Sequence, residues 1–469
     1  MKPVRNLLLF CITITSLLFA CKKESFTNSA SALLSTSVDT LHFDTVFTST
    51  GSVTQFVKII NNNNKAIRIS SVRLAGGASS AYKMNVDGTS GPIVNNVEIS
   101  ANDSAYIFVT VSINPSSANL PFIVQDSIEV NYNGNRKWVQ LDAFCQNAHF
   151  LRNYEVSANE TWNNDKPYVI LGRLSVDTNT TLTINKGCRI YMHADAPFIV
   201  HGTLQVNGDK WDSTRVVFAG DRLDVPYRDY PASYPGLIFS GVSKDNSFTY
   251  ATIRNAYQGI VIIDPSSTAN PKLSLRQTII DNAYDAGILS LNSSITARNV
   301  LVSNCGKNII LAKGGTYDFQ HCTVASVSNN YVQHKDPVLF VSNFLNQGGS
   351  VATSNLNATF RNCIFWGDAN GLVESEVVTA KQGTSAYNVI FDQVLWRVQT
   401  QPANATVTGA INNQNPQFDT LNTSQRIYSF RLKDNSPAIN KGVNTGLTID
   451  LDGKPRPVGL PDLGAYEKQ

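Results

Sequence analysis

Between Leu273 and Asp392 one short pattern returns five times. Leu275-Arg276-Gln277-Thr278-Ile279-Ile280, Ala297-Arg298-Asn299-Val300-Leu301-Val302, Phe319-Gln320-His321-Cys322-Thr323-Val324, Phe360-Arg361-Asn362-Cys363-Ile364-Phe365 and Ala386-Tyr387-Asn388-Val389-Ile390-Phe391 share a register. The polar column Gln277, Asn299, His321, Asn362, Asn388 advances by 22 residues twice, then by 41 and 26. A period in the twenties with β-rich runs in each repeat specifies stacked β-coils, a solenoid. Scarce Glu and abundant Asn, Ser, Thr, Val and Ile favour strands and tight turns, so the whole chain is expected to be all-β.

A second column supports the stacking. Asn255-Ala256-Tyr257-Gln258-Gly259-Ile260, Asn282-Ala283-Tyr284-Asp285-Ala286-Gly287-Ile288 and Asn304-Cys305-Gly306-Lys307-Asn308-Ile309 occupy equivalent turns. Asn308 stands where Gly259 and Gly287 stand, and both residue types tolerate positive φ, so a bend is expected there. The asparagines are expected to bond backbone groups of adjacent bends. His321 then reads as a bend residue rather than a base or ligand. Cys305 aligns with Ala256 and Ala283, and Cys322 with Cys363, which places these thiols at small interior positions. A disulfide between Cys322 and Cys363 stays open if their coils adjoin. No C-x-x-C spacing for zinc occurs.

Lys2 and Arg5 precede the apolar run Leu7 to Ala20, which reads as an export signal over residues 1–20. Leu18-Phe19-Ala20-Cys21 resembles a bacterial lipobox, which implies lipid attachment at Cys21, a membrane anchor and a flexible tether over 21–36. The net charge of +3 falls once the signal leaves, which argues against a nucleic-acid partner. Residues 37–147 alternate strand-like runs with turn clusters, including Asn133-Gly134-Asn135 between two apolar runs, a hairpin signal. This block resembles an immunoglobulin-like β-sandwich whose work is spacing, and no cluster of aromatics or charge stands out in it.

Gly172, Gly187 and Gly202 close successive β-runs at the start of the block 155–440. These phrases resemble the right-handed parallel β-helix lipoproteins of the Bacteroidota, in the pectin-lyase-like superfamily. The ending Ser436-Pro437-Ala438-Ile439-Asn440-Lys441-Gly442, Asp450-Leu451-Asp452-Gly453 and Pro461-Asp462-Leu463-Gly464-Ala465-Tyr466-Glu467 resembles that of the choice-of-anchor Q group. It is expected to cap the solenoid over 441–469, with Arg456 paired among Asp450, Asp452 and Asp462.

That resemblance implies polysaccharide chemistry, yet the Asn-Thr-Asp, Asp-Asp, Gly-His-Gly and Arg-Ile-Lys phrases of its pectin hydrolases are absent. For elimination, Asp281 and Asp285 with Arg254 and Arg276 come nearest to a base and a cation cage. Calcium enters only under that lyase reading; no cofactor or metal is otherwise expected. The column Arg276, Arg298, Gln320, Arg361 forms either a basic stripe for an acidic glycan or a solubilising face. The loop Asp221–Gly236 offers Tyr227, Tyr230 and Tyr234 beside Arg228 and Asp229 as sugar-stacking residues, or packs back on the coils. Asp-(Ser/Thr) triplets at Thr40, Thr45, Ser104, Ser127, Ser213 and Thr420 resemble Bacteroidota O-glycosylation sites.

The expectation is a lipid-anchored envelope protein at the outer membrane whose β-helix binds polysaccharide or another surface polymer, with no catalysis assigned. A polysaccharide lyase or hydrolase, and an architectural or adhesive solenoid, are the alternatives.

Overall fold

Alternation of apolar and polar side chains along short extended runs builds both halves of this chain. The computed structural model describes residues 25–47, 52–113, 122–369 and 371–469, so Cys21 and the leader lie outside the described residues. The chain divides into one unit ending at Asn147 and a second from Ala148 to Gln469.

In the first unit, Leu34–Thr36, Gln55–Asn61, Ser104–Val111, Tyr82–Val86 and Thr89–Ser90 form one antiparallel sheet in that spatial order. Thr40–Phe47, Asn135–Gln146, Phe122–Tyr132, Ile67–Leu74 and Ile93–Ile99 form the other, with a parallel pairing between its first two strands. Val57, Ile59, Ile107 and Val109 of one sheet share a core with Ile69, Val72, Ile128 and Val139 of the other. Asn133 (φ 47°) and Gly134 (φ 81°) supply the two positive-φ residues of the hairpin turn expected from the sequence.

The second unit is a parallel β-solenoid in which, among the described residues, 26 strands link into one continuous sheet. Leu275 pairs with Ala297, Ala297 with Phe319, Phe319 with Phe360 and Phe360 with Phe391. Identical columns therefore stack, and the rings of Phe319, Phe360 and Phe391 follow one another at 5.4 and 5.0 Å. Cys145, Cys188, Cys305, Cys322 and Cys363 are free thiols buried in the two cores.

Three details differ from the sequence reading. The polar bend column holds Gln277, Asn299, His321 and Asn362, all at φ between 43° and 54°, but its next member is Gln393 rather than Asn388. Asn388 pairs with Asn357, inside the strand that precedes the bend. Two strands of one coil carry the same polar-then-apolar cadence, so pattern alone does not say which of them Ala386–Phe391 is.

In the second column the positive φ falls on Asn255, Asn282 and Asn304, not on Gly259, Gly287 and Asn308. The glycines answer a need for space: a Cβ on Gly259 would lie 2.6 Å from the Gly287 carbonyl oxygen. Asn308 instead donates its amide to the Val302 and Ala325 carbonyls.

The closing segment does not stopper the last coil. It runs back along the flank of the solenoid over the first bend column. Asn362 donates to the Val443 carbonyl (2.7 Å) and accepts from its amide (3.0 Å). Asn299 donates to the Ile449 carbonyl (2.8 Å), and Arg215 to that of Leu451 (2.8 Å). Leu451, Leu463, Ala465 and Tyr466 bury an outward apolar row, Leu301, Ile364 and Leu395, that water would otherwise meet. Arg456 is fully buried and pairs with Glu467 (2.8 Å), not with the aspartates, while also donating to Asn299 Oδ1 (2.6 Å) and the Gly464 carbonyl. Asp450 takes the amides of Asp452, Lys454 and Glu467; Asp462 takes those of Asn440 and Lys468. Each carboxylate is thus consumed in shaping the segment.

Candidate functional site

Ala256, Ala283 and Cys305 fill one interior column of the solenoid. The residue that follows each stands in the bend between two strands. Those residues are Tyr257, Tyr284 and Gly306. Tyr257 and Tyr284 are 46% and 53% exposed, and their rings lie 5.9 Å apart with planes 26° from parallel. At the third coil the aromatic ladder stops, since a Cβ on Gly306 would meet the Tyr284 carbonyl oxygen at 2.3 Å. The space above it opens into a cavity of about 300 Å³ bordered by Tyr257, Tyr284, Asp285, Lys307, Tyr331 and Lys335. A polar row runs beside the rings: Gln258 Nε2 donates to Asp285 Oδ2 (2.7 Å), and Lys307 Nζ stands 3.3 Å from Asp285 Oδ1.

The far wall comes from loops. Tyr331 packs its ring 4.9 Å from that of Tyr230, which lies 5.2 Å from Tyr227. The Arg426 guanidinium sits 4.7 Å from the Tyr331 ring centroid and bonds Asp229 through both its carbonyl (2.7 Å) and its carboxylate (3.2 Å). Arg222 grips Asp224 and covers the Tyr227 ring at 3.9 Å. The bend asparagines hold the loop from below, Asn255 donating to the Arg228 carbonyl (2.7 Å) and Asn282 to that of Asp229 (3.1 Å). Five tyrosines therefore line one region, on supports that are themselves bonded.

The residues singled out from sequence divide clearly. Tyr227 and Tyr230 join the aromatic wall, and Arg228 and Asp229 pair with each other at 3.7 Å beside it. Tyr234 does not belong: it is 1% exposed because it bridges to Ala256 and so occupies the interior column one coil earlier. Asp281 and Asp285 do not form a pair. Asp281 accepts from Ser303 Oγ (2.6 Å) and Asn304 Nδ2 (3.1 Å), and burial pushes its carboxyl up, whereas Asp285 belongs to the shelf beyond the Asn282 bend. Arg254 stands in register with Asp281, and Arg276 in register with Arg298. The arginine stripe is largely neutralised, since Arg298, 17% exposed, pairs with Asp318 and Arg361 pairs with Asp392 (2.7 Å). Among the described residues no group of three or more His, Cys, Asp or Glu is placed to hold a metal ion.

The Asp-(Ser/Thr) triplets have a local use: the amides of Thr45, Ser104 and Ser127 each donate to the preceding aspartate at 2.7–2.8 Å. Thr40 opens a strand, Ser213 sits in a turn and Thr420 lies in the strand Phe418–Asn422. Tyr257, Tyr284, Lys307 and Tyr331 are the shelf residues that the sequence reading passed over. The signal for the first two was present, tyrosine at the same place in two aligned turns.

No protein-family model matches this chain. No curated protein matches it either. Among solved structures, a family 123 glycoside hydrolase from Clostridium perfringens aligns at 13% identity over 24% of this chain and 26% of that chain, with a TM-score of 0.18. A PapD-like domain of human CEP192 aligns at 8% identity over 27% of this chain and 92% of that domain, with a TM-score of 0.17. Overlaps this slight carry no inference about function.

Proposed function

We propose that the second unit binds a polysaccharide, or another surface polymer of like chemistry, on the shelf formed by Tyr257 and Tyr284, without catalysis. The observation that carries this reading is the half-exposed, near-parallel pair of rings flanked by the Gln258, Asp285 and Lys307 row. Two π faces accept the C–H face of a sugar ring, and the amide, carboxylate and ammonium beside them match its hydroxyls. Tyr227, Tyr230 and Tyr331 extend the surface sideways. In this proposal the solenoid is a right-handed β-helix, the first unit an immunoglobulin-like spacer, and Cys21 the lipid anchor at an outer membrane. Among the described residues no helix is long and apolar enough to cross a membrane.

The test is to incubate the chain with neutral and acidic polysaccharides, with and without calcium, and to follow both partners by size exclusion. Intact neutral glycan co-eluting with the protein, and lost with Tyr257→Ala/Tyr284→Ala, is the expected result. Each ring, contributing about 0.5–1.5 kcal/mol, should be worth roughly two- to tenfold in affinity. Shortened glycan would establish the lyase or hydrolase alternative, and intact glycan eluting alone would leave an architectural solenoid.

A further inference from the structure

Unlike its sequence, the structure of the first unit does show an aromatic cluster. Phe56 and Phe108 face each other across neighbouring strands, and Lys58 faces Tyr106 in the adjoining pair. All four point away from the core, because the intervening Val57, Ile59, Ile107 and Val109 fill it. Phe56 is 49% and Phe108 41% exposed. The rings of Tyr106 and Phe108 lie 5.7 Å apart with planes only 10° from parallel, and Phe56 leans on both at 5.4 and 6.3 Å. The Lys58 ammonium sits 4.9 Å from the Tyr106 centroid.

This platform continues into a cleft. On its far side Asn85 stands opposite Phe108 and Lys83 opposite Thr110. Beside them opens a space of about 590 Å³ lined by polar Lys83, Asn85 and Ser90 and by apolar Leu74, Met84 and Phe108. Asn85 donates to Ser90 Oγ at 2.8 Å, which fixes the polar rim. Among the described residues neither Lys58 nor Lys83 forms an ion pair with a carboxylate, so the face carries two uncompensated positive charges beside its rings.

Size and polarity select the occupant. A folded protein partner needs roughly 800 Å² on each side, contributed by about 20–30 residues. Three rings and a cleft fall short of that and suit a single extended chain. The two lysines beside the rings select an acidic one. We propose that the outer face of this sheet binds an acidic polysaccharide, with sugar rings on Phe56, Tyr106 and Phe108 and carboxylates reaching Lys58 and Lys83. This site is separate from the shelf at Tyr257 and does not depend on it.

The experiment titrates the full-length chain, held in mild detergent, with polygalacturonate oligomers by calorimetry. Carboxyl-reduced oligomers supply the same rings without charge, and polyglutamate supplies charge without rings. Phe108→Ser is expected to weaken polygalacturonate binding about tenfold. Lys58→Gln/Lys83→Gln, which keeps all three rings, should weaken it similarly and flatten its salt dependence. Tyr257→Ala/Tyr284→Ala should leave this binding in place. The proposal falls if polygalacturonate does not bind, or if reduced oligomers or polyglutamate bind as tightly. It falls equally if Lys58→Gln/Lys83→Gln binds like the parent, or if binding vanishes with the Tyr257 and Tyr284 pair instead.

Discussion

The solenoid carries two columns of bend residues with the same backbone geometry and different fates. On one flank Asn299, His321 and Asn362 are fully buried, because the closing segment lies over them and takes their side-chain hydrogen bonds. On the other, Asn255 and Asn282 bond the Asp221–Gly236 loop, but Asn304 turns to Asp281 and the Val327 amide within the wall. Beyond that loop the outward residues Tyr257 and Tyr284 stay uncovered. A left-handed bend frees a side chain to receive whatever segment crosses it, and a surface for ligands remains where the crossing ends.

The comparison can be broken most severely at the buried charges. Arg456 and Glu467 are both fully inaccessible, so Arg456→Met should destabilise the second unit by about 3–5 kcal/mol, read from urea midpoints. The matching change on the open flank, Arg426→Met, removes a partly exposed pair with Asp229 and should cost no more than about 1 kcal/mol. Its effect should appear in glycan affinity instead, because Tyr331 loses the guanidinium that holds it. Asn362→Ala should fall between them, at roughly 2–3 kcal/mol for two hydrogen bonds to Val443 and one to His321. Equal costs on the two flanks would dissolve the distinction.

Acid sharpens it further. His321 is buried and lies near the Arg456 guanidinium, which together push its imidazole down to about 2. Nδ1 donates to the Asp462 carbonyl, so Nε2 is left to accept from Thr445 and Asn362, a neutral ring. The folded ring stays neutral while the unfolded one gains its proton below about pH 6.5. Stability is therefore lost as pH falls through that value, by about 1.4 kcal/mol per pH unit. His321→Asn, which keeps a residue at ease with positive φ, should remove one proton's worth of that slope in denaturant titrations. An unchanged slope would mean that the closing segment does not seal the column.

The coils were legible because their period is written in residues that must repeat: Gln277, Asn299, His321 and Asn362 need the same φ, and Leu275, Ala297, Phe319 and Phe360 the same interior. What covers them was not. The partners of Asn299 and Asn362 lie 150 and 81 residues away along the chain, and no local pattern encodes such a pairing. The same gap hid the platform of the first unit, since Phe56 and Phe108 become neighbours only when their strands pair. Tyr257 and Tyr284 were legible in principle, because each follows an alanine at the same place in two aligned turns.

The smallest expected effect tests the boundary between interior and shelf. Tyr234 occupies the column that Ala256 and Ala283 continue, and its buried hydroxyl has no hydrogen-bond partner among the described residues. An unpaired buried hydroxyl costs about 1–3 kcal/mol in desolvation, so Tyr234→Phe, which keeps the ring, should be neutral or stabilising by up to that amount. Glycan affinity should not move, whereas Tyr284→Phe leaves the stacking face but removes a hydroxyl at the cavity rim. Thermal melts and glycan titrations on this pair of single-atom changes assign each ring to its side of the wall. A loss of affinity in Tyr234→Phe would place the ligand inside the loop rather than on the shelf beside it.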